Sequence, residues 1–581
     1  MIWFAEYLRG YYFIMAMRDL KVKEVFVCLT AILLFAFPTF AQENSGKVLQ
    51  ELQKKEITPK KIPKTPVIEK KKERKKEVIG GKRIFIRKIE VKGAAHLDKQ
   101  TLNNILSRYE GKKLTIGEIN QIAKDITEAY RKKHYILAYA YLPPQEIKNG
   151  ILEIKVLEGK IGKITVKGNR SYSKKFIQKH LERIRKDALL KEESLERVLL
   201  LLNEYPSLSV KSVLTKGKSL GVTDIIAETK DKRPVSGSIS YDNFGDKVTS
   251  KSRLTAEFDI GNLITSGDYL MLTGITGLDR IDFNRLSYGR AEYLFPIGYN
   301  GTKMGLSYAY SKYKAGKQYA PLDIYGDANI AGIYITHPLI KKRNQSLDMK
   351  FGFDYKDIYD YMLSSKRSED NIRVFNLGLT YDFLDHFYGR NIINLTLHQG
   401  ARDIFGGNGK NDSDTSRLNA DGGFTKWTAD ITRIQYITRY NSLYLRASGQ
   451  YSNDNLFTAE QFMLGGIGTV RGFDLSSESG DSGYFTSAEF HLSPICPEKE
   501  MFGQKLGDTV KFILFADHGW VHRNNTQPGE DKNSYLTSIG AGLRLYAGKH
   551  FFVRYDYAVP RIDGNFNCTN AKNYLQVVFN F

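Results

Sequence analysis

The chain is 581 residues long, 42% hydrophobic and 12% aromatic, with a formal net charge of +22. Its mean hydropathy of −0.38 excludes a bundle of apolar membrane helices. It does not exclude a membrane β-barrel, whose lumen is polar and whose aromatics gather in girdles. Much of the positive excess lies in lysine clusters such as Lys70-Lys71-Lys72 and Lys75-Lys76. No nucleic-acid-binding motif accompanies them, so they read as a solvated linker and no nucleic-acid partner is expected.

Residues 25–40, VFVCLTAILLFAFPTF, follow Arg18, Lys21 and Lys23 and precede Thr39-Phe40-Ala41. A basic start, an apolar middle and a small-residue site predict a signal peptide over 1–41, cleaved after Ala41. Its start is Met1 or Met17. Cys28 leaves with it, and Cys496 and Cys568 remain, in connections expected on opposite sides of a membrane and so unable to bridge. No cysteine spacing suits a metal.

The segment 42–57 holds a short helix over 45–56. Val48, Leu49 and Leu52 form its apolar stripe and Ser45 is its candidate cap. Residues 58–82, rich in Lys, Glu and Pro, have little to bury and read as a tether.

Two similar units follow, at 83–159 and 160–231. Ile89-Glu90-Val91-Lys92-Gly93 recurs as Ile164-Thr165-Val166-Lys167-Gly168. Each unit opens on a strand. Two helical segments follow, 99–108 and 116–133 in the first, 174–185 and 190–203 in the second. Each closes on two strands, 137–142 and 151–157, then 209–215 and 223–229. The repeat predicts two stacked α+β domains.

From residue 232 the texture changes to strands of alternating polarity separated by Gly, Asn and Asp. Sixteen candidates start near residues 234, 251, 267, 283, 302, 328, 345, 371, 390, 423, 441, 483, 509, 535, 550 and 574. An even count lets a membrane barrel close with both ends on one side. The last strand, YLQVVFNF, alternates Leu575, Val577, Phe579 and Phe581 to the end of the sequence. Connections alternate between short (438–440, 548–549) and long (316–327, 404–422, 453–482). With the two units in the periplasm, the long ones face outside. The long stretch 494–508 breaks this rule, and a shifted strand is the alternative there.

Two segments carry the chemistry. Residues 465–473, GGIGTVRGF, lie in the longest loop, and 515–519, FADHG, on the thirteenth strand. Phe515, Asp517 and Gly519 share one face of that strand, and Val510, Phe512 and Leu514 share the other, which suits lipid. Asp517 is then a lumenal carboxylate, costly to leave unpaired. A glycine-rich loop folded back into the lumen could offer Arg471 to it bidentately. Two separate solvated charges are the other reading of these residues. Asp517 and His518 are neighbours on a strand and face opposite ways, His398 and His491 stand alone, and no cofactor, metal or catalytic role is expected.

The stretch 134–159, HYILAYAYLPPQEIKNGILEIKVLEG, resembles the first polypeptide-transport-associated (POTRA) domain of two-partner-secretion transporters. The matching features are an aromatic before an Ala-x-Ala strand, Leu142, Pro143, Gln145, Gly150, Glu158 and Gly159. His134 departs from it, where that family often has Gly, with an expected effect on the turn alone. Val470, Arg471, Gly472 and Phe473, with Phe515, Asp517 and Gly519, are similar to the V-R-G-F and F-x-D-x-G motifs of these transporters and of the wider outer-membrane insertase superfamily. The aromatic ending at Phe579 and Phe581 resembles the closing strand of outer-membrane barrels. The resemblance implies a 16-stranded antiparallel membrane β-barrel behind two periplasmic POTRA domains and an N-terminal plug helix. It implies an outer-membrane pore that secretes a large unfolded exoprotein without ATP. The implied partners are that client, outer-membrane lipids and the barrel-assembly machinery. An insertase for other barrels is the alternative, although insertases typically carry more than two POTRA units.

Overall fold

The computed structural model describes residues 44–53, 68–70 and 83–581, apart from 233, 280–284, 502 and 528. The expected signal peptide and most of the tether lie outside the described residues.

Sixteen antiparallel strands close into a barrel. The first eight are β1 Val235–Asp242, β2 Arg253–Gly261, β3 Tyr269–Gly277, β4 Leu286–Pro296, β5 Lys303–Lys314, β6 Tyr325–Lys341, β7 Gln345–Met362 and β8 Ser365–Leu384. The second eight are β9 Gly389–Gly400, β10 Thr425–Tyr436, β11 Ser442–Ser452, β12 Ser482–Leu492, β13 Val510–His522, β14 Asn533–Ala547, β15 Phe551–Ile562 and β16 Lys572–Asn580. Each falls where the alternation of the sequence puts a strand. β1 pairs with β16 from Ser238↔Asn580 to Asp242↔Gln576, which removes the free edge that hydrocarbon forbids. On β13, Phe512 and Leu514 are 50% and 54% exposed while Asp517 is 1% exposed, so the apolar face looks outward and the carboxylate inward.

The stretch 493–509 is a genuine long turn. A two-residue hairpin pairs Glu500–Met501 with Gln504–Lys505, and a single helical turn, Leu506–Thr509, leads into β13. The flanking strands are not shifted. Exposed Cys496 lies in this turn and exposed Cys568 in the connection at the other end of the barrel.

The first repeat unit is a three-stranded sheet in the order Lys88–Lys92, Ile151–Glu158, Ala138–Tyr141. Helices α2 (Lys99–Leu106) and α3 (Ile116–Lys132) pack on it; α1 is the short helix Ser45–Gln53 described below. Ile119, Ile122, Ile126 and Tyr130 form the buried face of α3, and a reciprocal Thr115–Glu118 capping box starts it. At its far end His134 stands at φ +63°. The His134 amide donates to the Arg131 carbonyl at 2.8 Å and the Tyr135 amide to the Tyr130 carbonyl at 3.0 Å. These are the paired bonds of a left-handed helix stop, the conformation that glycine enters without a Cβ clash. The histidine keeps the turn.

The second unit carries α4 (Lys174–Glu182) and α5 (Glu192–Asn203) on the strands Lys160–Lys167, Val222–Asp231 and Leu208–Lys216. A fourth strand, Ile68–Lys70 of the tether, pairs in parallel with Leu208–Lys216. So the tether is not wholly unstructured, as composition alone suggested.

This second unit sits against one rim of the barrel. The Arg197 Nη2 donates to the Pro338 carbonyl at 2.6 Å, Glu196 pairs with Arg343 at 3.1 Å, and Glu204 pairs with Lys341. Gly267, at φ +93° in the β2–β3 turn, comes so close to Phe176 and Tyr205 that a Cβ there would lie 2.5 Å from the Phe176 ring. This rim holds the even-numbered turns, so the long connections open at the opposite end.

Helix α1 is packed against the inner wall. Val48, Leu49 and Leu52 are buried among Tyr288, Tyr313, Ile330, Ile358 and Phe457. Its cap is Asn44, whose Oδ1 accepts the Lys47 amide at 2.9 Å, and not Ser45. The wall claims Ser45 instead: its amide and hydroxyl donate to Asp360 Oδ1 of β7 at 2.8 and 2.9 Å.

Candidate functional site: a loop locked to the lumen wall

The connection 453–481 between β11 and β12 turns inward. It makes a short 3-10 turn at Thr458–Glu460, then a small hairpin in which Phe462–Leu464 pairs with Glu478–Gly480. The tip between them carries the Val470-Arg471-Gly472-Phe473 motif. Val470 is fully buried with Leu464, Phe485, Val521 and Leu536, and Phe473 packs at the edge of this cluster. Gly472 stands at φ +90°, and a Cβ there would press on the Pro560 backbone at 3.1 Å. On the wall, a Cβ at Gly519 would meet Leu464 at 2.7 Å, so this glycine makes room for the loop.

Arg471 and Asp517 meet as expected. The guanidinium donates from Nε to Asp517 Oδ2 at 2.7 Å and from Nη2 to Oδ1 at 2.8 Å. It lies 3.4 Å above the Phe515 ring. That ring supports its flat face, a stacking that a lysine could not reproduce.

The pair belongs to a larger constellation that the motifs did not reveal. Arg471 Nη1 also contacts Glu489 of β12 at 2.6 Å and Asp556 of β15 at 3.5 Å. Asp556 in turn takes Arg544 of β14 at 2.6 Å and Arg554 of β15 at 2.9 Å. The Ser487 hydroxyl donates to Asp517 Oδ1 at 2.7 Å. Three guanidiniums thus face three carboxylates, and the group is neutral only with the loop in place. Burial opposes the charge on Arg471, but Asp517, Glu489 and Asp556 outweigh it and raise its pKa above the ordinary arginine range. Removing one member of such a buried group costs about 3–5 kcal/mol, because the others lose their compensation.

A second anchor holds the base of the loop. Glu460 Oε1 pairs with Lys356 of β7 at 2.5 Å and Oε2 with Lys426 of β10 at 2.6 Å. Burial would raise this carboxyl, but the two lysines hold it well below the usual carboxylate range. Helix α1 leans on the same segment. Gln50 Nε2 donates to the Gln461 carbonyl at 3.2 Å and also to the Ala459 carbonyl, and Gly46 lies flat against Ala459. Glu51 accepts the Ser476 hydroxyl of the loop's returning arm at 2.6 Å. Helix, loop and wall are therefore one interlocked body.

The other expected motif residues lie apart from this lumen. In the first unit, Gln145 reads the sheet edge as a strand would: its Nε2 donates to the Glu153 carbonyl at 2.6 Å and its Oε1 accepts the Glu153 amide at 2.8 Å. Glu158 accepts the Tyr130 hydroxyl at 2.6 Å and the His96 amide at 2.7 Å. Leu142 packs beside the core, Pro143 leads into the Gln145 turn, Gly150 turns at φ +71°, and Gly159 passes against Leu137. At the other end, Phe581 exchanges backbone bonds with Gly237 at 2.9 and 3.1 Å and sets its ring against Phe258, while Phe579 is half exposed on the outer wall.

Most of the barrel and the first α+β unit match described families. The haemolysin secretion/activation protein family ShlB/FhaC/HecB matches residues 221–545, and the ShlB-type POTRA domain matches residues 84–159. The chain belongs to this ShlB/FhaC/HecB family. Like the family, it is an outer-membrane transporter of two-partner secretion with its POTRA domains in the periplasm, and not a barrel insertase. It is 27% identical over 501 residues to the heme/hemopexin transporter protein HuxB of Haemophilus influenzae (strain 86-028NP), covering 83% of this chain and 84% of that one. It is 24% identical to the outer membrane transporter CdiB of Escherichia coli O6:K15:H31 (strain 536 / UPEC), covering 80% and 76%. Among solved structures, CdiB from Escherichia coli superposes with a TM-score of 0.69 at 20% identity over 88% of this chain and 93% of that one. CdiB from Acinetobacter baumannii gives 0.61 at 17% over 98% of each. These structures share the fold.

Proposed function

We propose that this ShlB/FhaC/HecB transporter exports one large, unfolded exoprotein from the periplasm to the cell surface, with α1 as a removable plug and the Arg471 loop as a fixed wall of the conduit. The observation that carries this reading is the unequal fastening of two lumenal elements. The loop tip is tied by a bidentate arginine to a buried carboxylate. The helix is held chiefly by an apolar stripe and by hydrogen bonds at its ends.

The POTRA domains capture the client by strand addition at a sheet edge. The tether's own strand Ile68–Lys70, seated on Leu208–Lys216, supports this by occupying such an edge. No ATP is needed: folding of the client outside withdraws the next segment. The outward Phe579 and the sealed Phe581 serve as the signal read by the barrel-assembly machinery. Purified residues 83–231 should retain the N-terminal part of a co-expressed exoprotein in a pull-down. Failure to retain it would remove the capture step.

A further inference from the structure

The connection 401–424 between β9 and β10 does not stay above the barrel mouth. β9 stops short of its neighbour β8: their pairing ends at Val374↔Gly400, while β8 reaches back to Ser365. The outer half of β8 would therefore present an open edge. The connection covers it. The Ala401 amide donates to the Arg373 carbonyl at 2.8 Å and the Asn408 amide to the Asn371 carbonyl at 2.7 Å, while Asn408 Oδ1 accepts the Asn371 amide. Between these two fastenings the segment 402–407 bulges outward.

The bulge lies on the lipid side of the wall. On β8, Phe375, Leu377 and Leu379 are 38–46% exposed and share one face, with Arg373 next along it. Phe353 of β7 is the register partner of Phe375. Phe405 meets Phe353 edge to face at 6.2 Å between centroids. Arg373, itself 2% exposed, lies under the bulge: its Nε donates to the Phe405 carbonyl at 3.1 Å and its guanidinium stacks on Tyr355 at 3.4 Å.

Two further facts point to a purpose. Phe405 stands at φ +49° and Asp403 at φ +55°, a strained backbone for residues that carry a Cβ. That strained tip nonetheless presents its apolar groups outward: Phe405 is 71% exposed and Ile404 40%. The patch is continuous with the apolar band of β7 and β8, which faces membrane hydrocarbon.

We propose that Ile404 and Phe405 form a lipid wedge, seated in the acyl chains of the outer leaflet, which fixes the depth of the barrel and fastens the root of the 401–424 connection to the outer wall. Arg373 is the positioning residue that holds the wedge against the wall. The flanking Arg402, Asp403 and Asn408 are polar, as the headgroup level requires.

Electron paramagnetic resonance decides this. In a C496S/C568S background, a nitroxide is attached at F405C, and the protein is reconstituted in palmitoyl-oleoyl phosphatidylcholine vesicles. Collision with oxygen is compared with collision with a neutral nickel chelate. L395C, on the outer face of β9, supplies the lipid reference, and L363C, at the tip of the β7–β8 hairpin, the aqueous one. The wedge predicts that the 405 label behaves like the 395 label, with oxygen accessibility several-fold above nickel. A 405 label as open to nickel as the 363 label overturns the proposal. Should F405C not insert, the same reading is taken at I404C.

Discussion

The loop tip and helix α1 occupy the same lumen but are held by opposite physics. The tip is tied by directional charge contacts, with three carboxylates and two further guanidiniums arranged around Arg471. Helix α1 is nine residues long and is held mainly by Val48, Leu49 and Leu52. A helix so short is marginal in water and is ordered by its seat. Apolar contacts have no strong angular demand and can be broken gradually. A buried bidentate pair cannot be loosened without stranding charge. The contrast assigns the two elements to different steps: the helix to opening, the loop to shape.

The largest expected effect comes from breaking the stronger side. Arg471→Ala leaves Glu489, Asp517 and Asp556 facing only two guanidiniums. Client secretion should fall to background while the barrel still assembles, as judged by heat-modifiable migration on gels. Normal secretion would defeat the lock. Glu460→Gln should act next. It leaves Lys356 and Lys426 without their shared carboxylate, and it disturbs the loop segment on which α1 rests. Secretion should drop about tenfold, consistent with a coupling of about 1.4 kcal/mol, and plug release should become more frequent. Deleting residues 45–53 should raise single-channel conductance in planar bilayers without loss of the folded barrel. An unchanged trace would mean that α1 does not obstruct the pore.

The effect expected to change secretion least is a pH dependence confined to the helix. Burial pushes the Glu51 carboxyl up to about 7 in the docked helix, against a partial lowering by its bond from Ser476; Asp246 adds to the rise, and Arg253 and Lys47 oppose it. The docked state therefore holds its proton more tightly than the released one. Docking is strongest below the ordinary glutamate range, weakens as pH rises toward 7, and is flat above it, by at most roughly tenfold per pH unit. Conductance events should become more frequent between pH 5 and 7, and Glu51→Gln should abolish the trend. A trend of the opposite sign would contradict the assignment.

Much of this was legible in the sequence, for identifiable reasons. Strand alternation is local, so all sixteen strands could be read, although β8 starts at Ser365, ahead of the expected 371, because its outer end carries the polar run Ser365–Asp370. Arg471 and Asp517 stood in motifs, and parity placed Asp517 inward. Glu489, Arg544, Arg554 and Asp556 also point inward by parity. Their convergence depends on the register of four strands, from Glu489↔Phe515 through Phe515↔Gly540 to Gly542↔Asp556, which no single stretch reveals. Glu460 meets Lys356 and Lys426 only because the barrel curves. The cap of α1 was misread by one residue because Asp360, far away in sequence, competes for Ser45. The tether strand Ile68–Lys70 was missed because three residues adopt a strand only when a partner edge receives them.

The division of labour can be measured directly by distances between spin labels. In the cysteine-free background, one label at L363C on the outer hairpin is paired with a second on the helix, Q53C, or on the loop, S477C. Adding a client stalled in transit should lengthen and broaden the 53–363 distance and leave the 477–363 distance unchanged. A loop distance that shifts while the helix distance stays fixed would contradict the account.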